Sequence, residues 1–168
     1  MFLSPDKIYP ELGCGSGDVT HSLLFQSIPT TISLLQGVDS SKEMVKYAMD
    51  NYSTGKIKFS VMDIAREKNP RQHFPRGFDK IFSLYCLHWV KDLGSAVRNI
   101  HHLLEDGGHA LVIFLAHNPI FRMYRLMASK GKWSQYMKVT IDFARKHLFI
   151  SMEWTNYKRN RHRALKYT

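Results

Sequence analysis

The 168-residue chain has little cysteine, no long apolar run and no excess of acidic residues. Its two cysteines, Cys14 and Cys86, do not have the spacing of a metal site and are too few for a disulfide framework. The longest apolar run, residues 110–116, is too short to span a bilayer, and the N-terminus lacks the pattern of a signal peptide. We therefore expect a cytoplasmic protein without a membrane span.

Positive charge is concentrated near the C-terminus. The chain has 24 Lys and Arg against 14 Asp and Glu, which gives a net charge of +10. Residues 143–168 contribute +6 of that charge, through seven basic residues and one acid. A basic tail is a weak indication of nucleic-acid binding, and a disordered terminus is the alternative. We divide the chain into a core, residues 1–142, and a basic tail, residues 143–168, and do not expect nucleic acid as the main partner.

Short apolar runs alternate with helical patterns along the core. The predicted strands cover residues 8–14, 31–38, 56–62, 78–85 and 110–116. Helical patterns lie between most of them, over residues 19–27, 40–52 and 93–104. This alternation predicts an α/β fold with a parallel sheet, helices on both faces and a last strand that is covered on both sides. Pro10 does not fit this strand pattern, because a proline has no backbone N–H to donate to a neighbouring strand in the middle of a sheet.

An acid and three glycines end the first predicted strand: Glu11, Gly13, Gly15 and Gly17. Glycines let a ligand approach the backbone closely, and free amides at a helix start favour a negative group. The residue three positions after Gly15 is Asp18, so the spacing fits G-x-G-x-G better than the dinucleotide fingerprint. The alternative is a tight turn selected for packing alone.

Two further acids end the next two predicted strands. Asp39 follows the glycines by about twenty residues, where an acid in nucleotide-binding sheets accepts hydrogen bonds from ribose hydroxyls. Its alternative role is the N-cap of the helix over residues 40–52. Asp63 is a candidate to bind the exocyclic amine of a base, and its alternative role is to cap the turn before Arg66.

These motifs stand in the order and spacing of the class I S-adenosylmethionine-dependent methyltransferases, which the chain resembles over residues 11–117. The segment LYCLHWV, residues 84–90, is similar to that of insect juvenile hormone acid methyltransferases and, more distantly, of trans-aconitate methyltransferases. The resemblance implies a Rossmann-like sheet of strand order 3-2-1-4-5 with a cofactor crevice at the carboxyl ends of strands one to three. We expect a core truncated at both ends, without the last two strands of the usual sheet.

The resemblance also implies a cofactor and roles for named residues. The cofactor is S-adenosylmethionine, and the reaction is methyl transfer to the carboxylate of a small apolar acid of the juvenile hormone acid or farnesoic acid type, a step of juvenile hormone biosynthesis. The implied cofactor-binding residues are Glu11 at the amino acid portion, Gly13, Gly15 and Gly17 beneath it, Asp39 at the ribose, Asp63 at the adenine amine, and Ile64 and Leu84 along the adenine and methyl region.

The acceptor side follows from the chemistry of a carboxylate. This group is ionised at pH 7, so its methylation needs orientation and dehydration rather than a general base. His88 and the indole N–H of Trp89 are neutral donors and hence the candidate catalytic residues. The alternatives are a partly buried polar residue for His88 and a core aromatic for Trp89. Tyr85, Phe121 and Met127 are either pocket walls or plain core.

The remaining candidates are weaker. The pair His101 and His102 lacks acidic partners at ligand spacing, so we predict no metal. Cys86 has no neighbouring base and is interpreted as a packing residue. Two other hypotheses stay open: a non-catalytic methyltransferase remnant and a nucleic-acid-binding module that uses the basic tail. Nothing in the sequence indicates the oligomeric state.

Overall fold

The computed structural model describes residues 7–115 and 119–136. Five strands form one sheet of order β3-β2-β1-β4-β5, with parallel pairing between neighbours. The predicted α/β class and strand order are confirmed. The strands are β1 (Ile8–Leu12), β2 (Leu34–Asp39), β3 (Ile57–Val61), β4 (Phe78–Leu84) and β5 (Leu104–Ile113).

Helical segments connect these strands. They comprise a π-helical segment (Thr20–Leu24) that continues into α1 (Phe25–Ser27), then α2 (Lys42–Tyr52), a 3₁₀ turn (Pro70–Gln72), a second 3₁₀ turn (Leu87–Trp89) and α3 (Leu93–Leu103). The two longer helices have side-chain caps. Ser41 accepts a hydrogen bond from the N–H of Met44, and Asp92 accepts one from the N–H of Ser95. These caps explain why α2 and α3 begin where they do.

Apolar side chains of the sheet pack against the helices. Val45 and Ala48 of α2 lie in one buried cluster with Ile57 and Phe59 of β3 and with Cys14. Burial of a side chain as large as Ile57 stabilises the fold by about 1.5–3 kcal/mol. The cluster lies directly beneath the turn that follows β1, so core packing supports the loop in which the candidate site begins.

Pro10 is accommodated within the central strand. It is fully buried in β1 and stands opposite Gln36 of β2. A proline nitrogen cannot donate to the ladder. The pairing of β1 with β4 is found one residue later, at Glu11 opposite Phe82. The departure noted in the sequence therefore does not prevent the strand from forming.

The last predicted strand differs most from the structure. β5 begins directly after α3 and runs through Gly107, whose φ is +78°. A glycine after a helical pattern is typical of a helix end, but this one lies within the strand. Leu111 is 52% exposed and Ile113 is 42% exposed. The prediction that both faces of this strand are covered is wrong for the described residues. Among the described strands, β5 lies at the edge of the sheet, where fewer neighbours bury its side chains.

Residues after Phe114 belong to a second compact unit, Leu115–Thr168. Its described part contains α4 (Pro119–Ala128) and α5 (Gly131–Ser134). The predicted boundary at residues 142 and 143, the basic tail and the expected loss of two strands all lie outside the described residues and stay predictions. In the part of the chain that is described, no helix has both the length and the apolarity needed to cross a membrane.

Candidate functional site

The turn after β1 is held against the end of β2. The N–H groups of Gly13 and Cys14 both donate to the carbonyl oxygen of Val38, at 2.7 and 3.0 Å, and the N–H of Gly17 donates to the carbonyl oxygen of Cys14 at 3.0 Å. Gly13, Gly15 and Gly17 all have positive φ, which an L side chain would strain. The turn therefore has a fixed conformation that requires glycine.

The three glycines have different surroundings. A Cβ added at Gly13 would lie 2.0 Å from the Sγ of Cys86, and one added at Gly17 would lie 2.8 Å from the Cβ of Ala48. A Cβ added at Gly15 meets no atom of the described residues within 4 Å. Contacts within the fold thus explain Gly13 and Gly17. Gly15 is the glycine whose backbone faces open space.

Asp39 connects the glycine turn with the start of α2. Its Oδ2 accepts a hydrogen bond from the N–H of Gly15 at 3.0 Å, and its Oδ1 accepts one from the N–H of Ser41 at 2.9 Å. The side-chain N-cap of α2 is Ser41, so the alternative that Asp39 is the cap is wrong. Each carboxylate oxygen of Asp39 retains a lone pair for a further donor.

This contact corrects one sequence prediction. We predicted free amides at the turn that would favour a negative ligand, yet the N–H groups of Gly13, Cys14 and Gly15 already have acceptors. The acceptor at Gly15 is itself an anion. A second negative group, such as a phosphate, would meet electrostatic repulsion from Asp39 at this position.

Asp63 caps the turn that follows β3. Its Oδ1 accepts hydrogen bonds from the N–H groups of Ala65 and Arg66, at 3.0 and 3.1 Å, and its Oδ2 lies 3.6 Å from the Nε of Arg66. The structure therefore shows the capping role. From the sequence, capping the turn and binding the amine of a base were both possible roles for Asp63. The role in base binding remains a prediction.

The loop around Ile64 is fixed by a residue that the sequence reasoning missed. Ile64 is buried, and its carbonyl oxygen accepts a hydrogen bond from the Nδ2 of Asn99 at 2.7 Å. Asn99 also donates to the carbonyl oxygen of Glu67 at 2.8 Å. The available signal was an asparagine next to the core face of α3, where a buried amide needs partners.

Glu11 is the most deeply buried acid of the site. It is 1% exposed, and its Oε2 has no hydrogen-bond partner within residues 7–115 and 119–136. Burial raises the pKa of the Glu11 carboxyl above its ordinary value. The negative charge of Asp18 adds to this increase, and the neighbouring hydroxyl of Thr20 opposes it. Sequence reasoning identified Glu11 but not Thr20, which no motif marks.

The end of β4 turns sharply at Tyr85. Leu84 is half-buried, whereas Tyr85 is 62% exposed and has a φ of +55°, in the left-handed region that bulky residues rarely adopt. Its N–H donates to the carbonyl oxygen of Ile113 at 2.7 Å. The following residue, Cys86, reaches Gly13, and burial raises the pKa of its thiol to about 11. These observations agree with a packing role for Cys86.

His88 and Trp89 lie in the 3₁₀ turn after β4. The two ring centroids are 5.1 Å apart, and the ring of Tyr85 meets His88 edge-on at 6.5 Å. His88 is buried, as its alternative role requires, but Trp89 is 61% exposed. The alternative that Trp89 is a core aromatic is therefore wrong. The side chain of Phe121 lies outside the described residues, and Met127 belongs to the second unit, so both stay predictions.

The site as a whole is acidic and lies at one edge of the sheet. Glu11, Asp39 and Asp63 lie at or just beyond the carboxyl ends of β1, β2 and β3, which meet at the same edge of a parallel sheet. Residues 7–115 and 119–136 contain no group of three side chains suited to a metal ion. Three carboxyl groups, an open glycine and an unpartnered buried oxygen suit a ligand with hydroxyls and positive charge. S-adenosylmethionine has these groups and carries no phosphate.

Comparison with known proteins gives a consistent result. A family model described as methyltransferase domain matches residues 11–110. Juvenile hormone acid O-methyltransferase from Bombyx mori is 41% identical over 128 residues, which is 76% of this chain and 45% of that protein. The enzyme of the same name from Drosophila melanogaster is 38% identical over 135 residues, 79% of this chain and 45% of that protein. The chain thus spans about half the length of these curated relatives.

Solved structures show the same fold. The plantazolicin methyltransferase BamL, solved with SAH, has a TM-score of 0.56 at 22% identity and covers 82% of this chain and 48% of its own. An S-adenosylmethionine-dependent methyltransferase from Clostridium acetobutylicum has a TM-score of 0.52 at 22% identity and covers 76% and 47%. At these identities the likeness concerns the fold.

Proposed function

The chain belongs to the class I S-adenosylmethionine-dependent methyltransferases, and on that premise we propose that it catalyses methyl transfer to the carboxylate of a small apolar acid. The family match does not favour the two alternatives, a non-catalytic remnant and a nucleic-acid-binding module.

In this proposal the acidic edge of the sheet binds the cofactor. S-adenosylmethionine supplies a methyl group on a positively charged sulfur. Asp39 accepts hydrogen bonds from the ribose hydroxyls through its remaining lone pairs, and Glu11 faces the amino group. The open backbone at Gly15 lets the amino acid portion pass close to the turn. The turn at Asp63 and Ile64, with Leu84 at the end of β4, lines the adenine and methyl region.

One observation carries the cofactor assignment. The carboxylate of Asp39 accepts a hydrogen bond from the N–H of Gly15. In a Rossmann fold that binds dinucleotides, the N–H groups of this turn are free and donate to a pyrophosphate. Negative charge at this amide disfavours a phosphate and favours a cationic cofactor. This contact therefore supports S-adenosylmethionine over a nicotinamide or flavin dinucleotide within the same fold class.

The acceptor assignment is supported by the segment after β4 and by the names of the relatives. The segment LYCLHWV contains His88 and Trp89 as neutral donors and no acidic residue that would repel a carboxylate. In the proposal the indole N–H of Trp89 orients the acceptor carboxylate, His88 packs against the indole ring, and Tyr85 contributes an apolar wall. The relatives named for juvenile hormone acid favour an isoprenoid acid as the acceptor.

The proposal is tested by a transfer assay with methyl-labelled S-adenosylmethionine and a panel of acids. The panel contains farnesoic acid, a straight-chain fatty acid, a tricarboxylic acid and the methyl ester of farnesoic acid. We expect label in an ester product of farnesoic acid and none with its methyl ester, which has no free carboxylate. Cofactor binding without label in any product would contradict the enzymatic part of the proposal.

A further inference from the structure

Two buried polar atoms next to the glycine turn lack partners. Thr20 is 0% exposed and Glu11 is 1% exposed. Neither the Oγ1 of Thr20 nor the Oε2 of Glu11 has a hydrogen-bond partner in the described part of the chain. Buried polar atoms in native proteins are almost always paired, because an unpaired one loses its hydration without compensation. The Thr20 hydroxyl lies close enough to the Glu11 carboxyl to lower its pKa, and the Oε2 of Glu11 is the atom left for a group that a ligand brings.

Thr20 begins a helical turn of an uncommon type. Thr20 is the first residue of the π-helical segment, and its carbonyl oxygen accepts a hydrogen bond from the N–H of Phe25, five residues later. π-Helical turns are rare and frequently lie at functional sites. Only Asp18 and Val19 separate this turn from Gly17, and the Thr20 hydroxyl lies close enough to Glu11 to lower the pKa of its carboxyl.

The chemistry of the two groups is complementary to an ammonium. A threonine hydroxyl donates one hydrogen bond and accepts others, whereas an ionised carboxylate only accepts. We propose that Thr20 is a positioning residue of the cofactor site, whose hydroxyl donates to the Glu11 carboxylate and holds it in the orientation that receives the amino group of the cofactor. This inference rests on the proposed cofactor binding and deepens it.

Proton release provides a signature that a purely structural threonine would lack. The groups that act on Glu11 are the Thr20 hydroxyl and Asp18, and the thiols of Cys14 and Cys86 lie near it with their own pKa values raised by burial. Burial raises the pKa of Glu11, and a bound ammonium would lower it again. At a pH between the pKa of Glu11 in the complex and its higher pKa in the free protein, binding releases a proton from Glu11. Affinity therefore increases with pH across this window and levels off above it.

The experiment is calorimetric titration with S-adenosylhomocysteine, which keeps the amino group. Each titration is run in two buffers of different ionisation heat at several pH values. We expect Thr20→Val to bind about 3- to 10-fold more weakly, as for the loss of one hydrogen bond, and to move the window of proton release to higher pH. Thr20→Ser should restore both properties. Thr54→Val removes a hydroxyl that accepts hydrogen bonds before β3, at the opposite end of the strands, and should bind like wild type.

Glu11→Gln tests the same link without altering Thr20. It should abolish the proton release, and Thr20→Val in that background should cause no further loss of affinity. Thr20→Val that binds with the wild-type affinity and pH profile would overturn the inference, whatever its melting temperature. An equal loss in both Glu11 backgrounds would overturn it as well. Wild-type protein that does not bind the probe at all would overturn the proposed function too, so the two failures are distinguishable.

Discussion

Asp39→Ala removes a carboxylate that the structure uses twice. One oxygen holds the N–H of Gly15 at 3.0 Å, and the other holds the N–H of Ser41 at 2.9 Å. In the proposed complex the same oxygens also bind the ribose. The substitution therefore changes two measurable quantities, the free energy of unfolding and the affinity for the cofactor, for separate physical reasons.

The two effects differ in size. Loss of hydrogen bonds between a charged acceptor and ribose hydroxyls should cost about 1.5–3 kcal/mol of binding free energy, roughly a 10- to 100-fold weaker affinity. Loss of the two backbone hydrogen bonds should lower the free energy of unfolding by about 1–2 kcal/mol, because Asp39 is only half-buried and water can replace it at both amides.

Calorimetry with S-adenosylhomocysteine and thermal melting measure the two quantities on the same samples. Asp92→Ala is the matched control, because it removes a carboxylate that accepts from the N–H of Ser95 at the start of α3. We expect a similar loss of stability in the control with unchanged affinity. Asp39→Ala that binds within about twofold of wild type, or Asp92→Ala that loses as much affinity, would refute the reasoning.

Three other substitutions or modifications test separate parts of the site. Trp89→Phe should melt within about 2 °C of wild type, because Trp89 is 61% exposed. It should keep its affinity for S-adenosylhomocysteine while its turnover falls. Unchanged turnover per molecule would contradict the orienting role. Gly13→Ala should be strongly destabilised, because its Cβ would lie 2.0 Å from the Sγ of Cys86. Gly15→Ala should lose only about 1–2 kcal/mol of stability from backbone strain, and it should bind the cofactor more weakly. Equal melting temperatures of the two variants would contradict this difference. Because the pKa of the Cys86 thiol is about 11, its alkylation followed by mass spectrometry should be slow at pH 7 and accelerate about tenfold per pH unit towards pH 10; rapid labelling at pH 7 would contradict the burial of this thiol.

The sheet was predictable because its signals are local and repeated. Alternating apolar runs and helical patterns predicted each of the five described strands, and every bound except the start of β5 lies within three residues of the observed one. The strand order came from the resemblance carried by Glu11, the glycines, Asp39 and Asp63. β5 was displaced because Gly107 signals a helix end in sequence, while in the structure its positive φ lies within a strand.

The contacts of the site were less predictable because they join distant parts of the chain. Nothing in the sequence indicates that Asp39 occupies the amide of Gly15, 24 positions away, or that Cys86 packs on Gly13. Thr20 carries no motif, and its importance becomes visible only from burial without a partner. The turn at Tyr85, four residues before the exposed Trp89, was likewise not predictable, because its left-handed φ is atypical of a tyrosine.

Parallel titrations of the wild-type chain with S-adenosylmethionine and with NAD test the central claim most directly, since both cofactors carry an adenosine and only one carries phosphates. We expect saturable binding of S-adenosylmethionine and no detectable binding of NAD, because the Asp39 carboxylate occupies the amide that a pyrophosphate would need. Binding of NAD with equal or higher affinity, or the absence of any binding of S-adenosylmethionine, would contradict the assignment of this crevice.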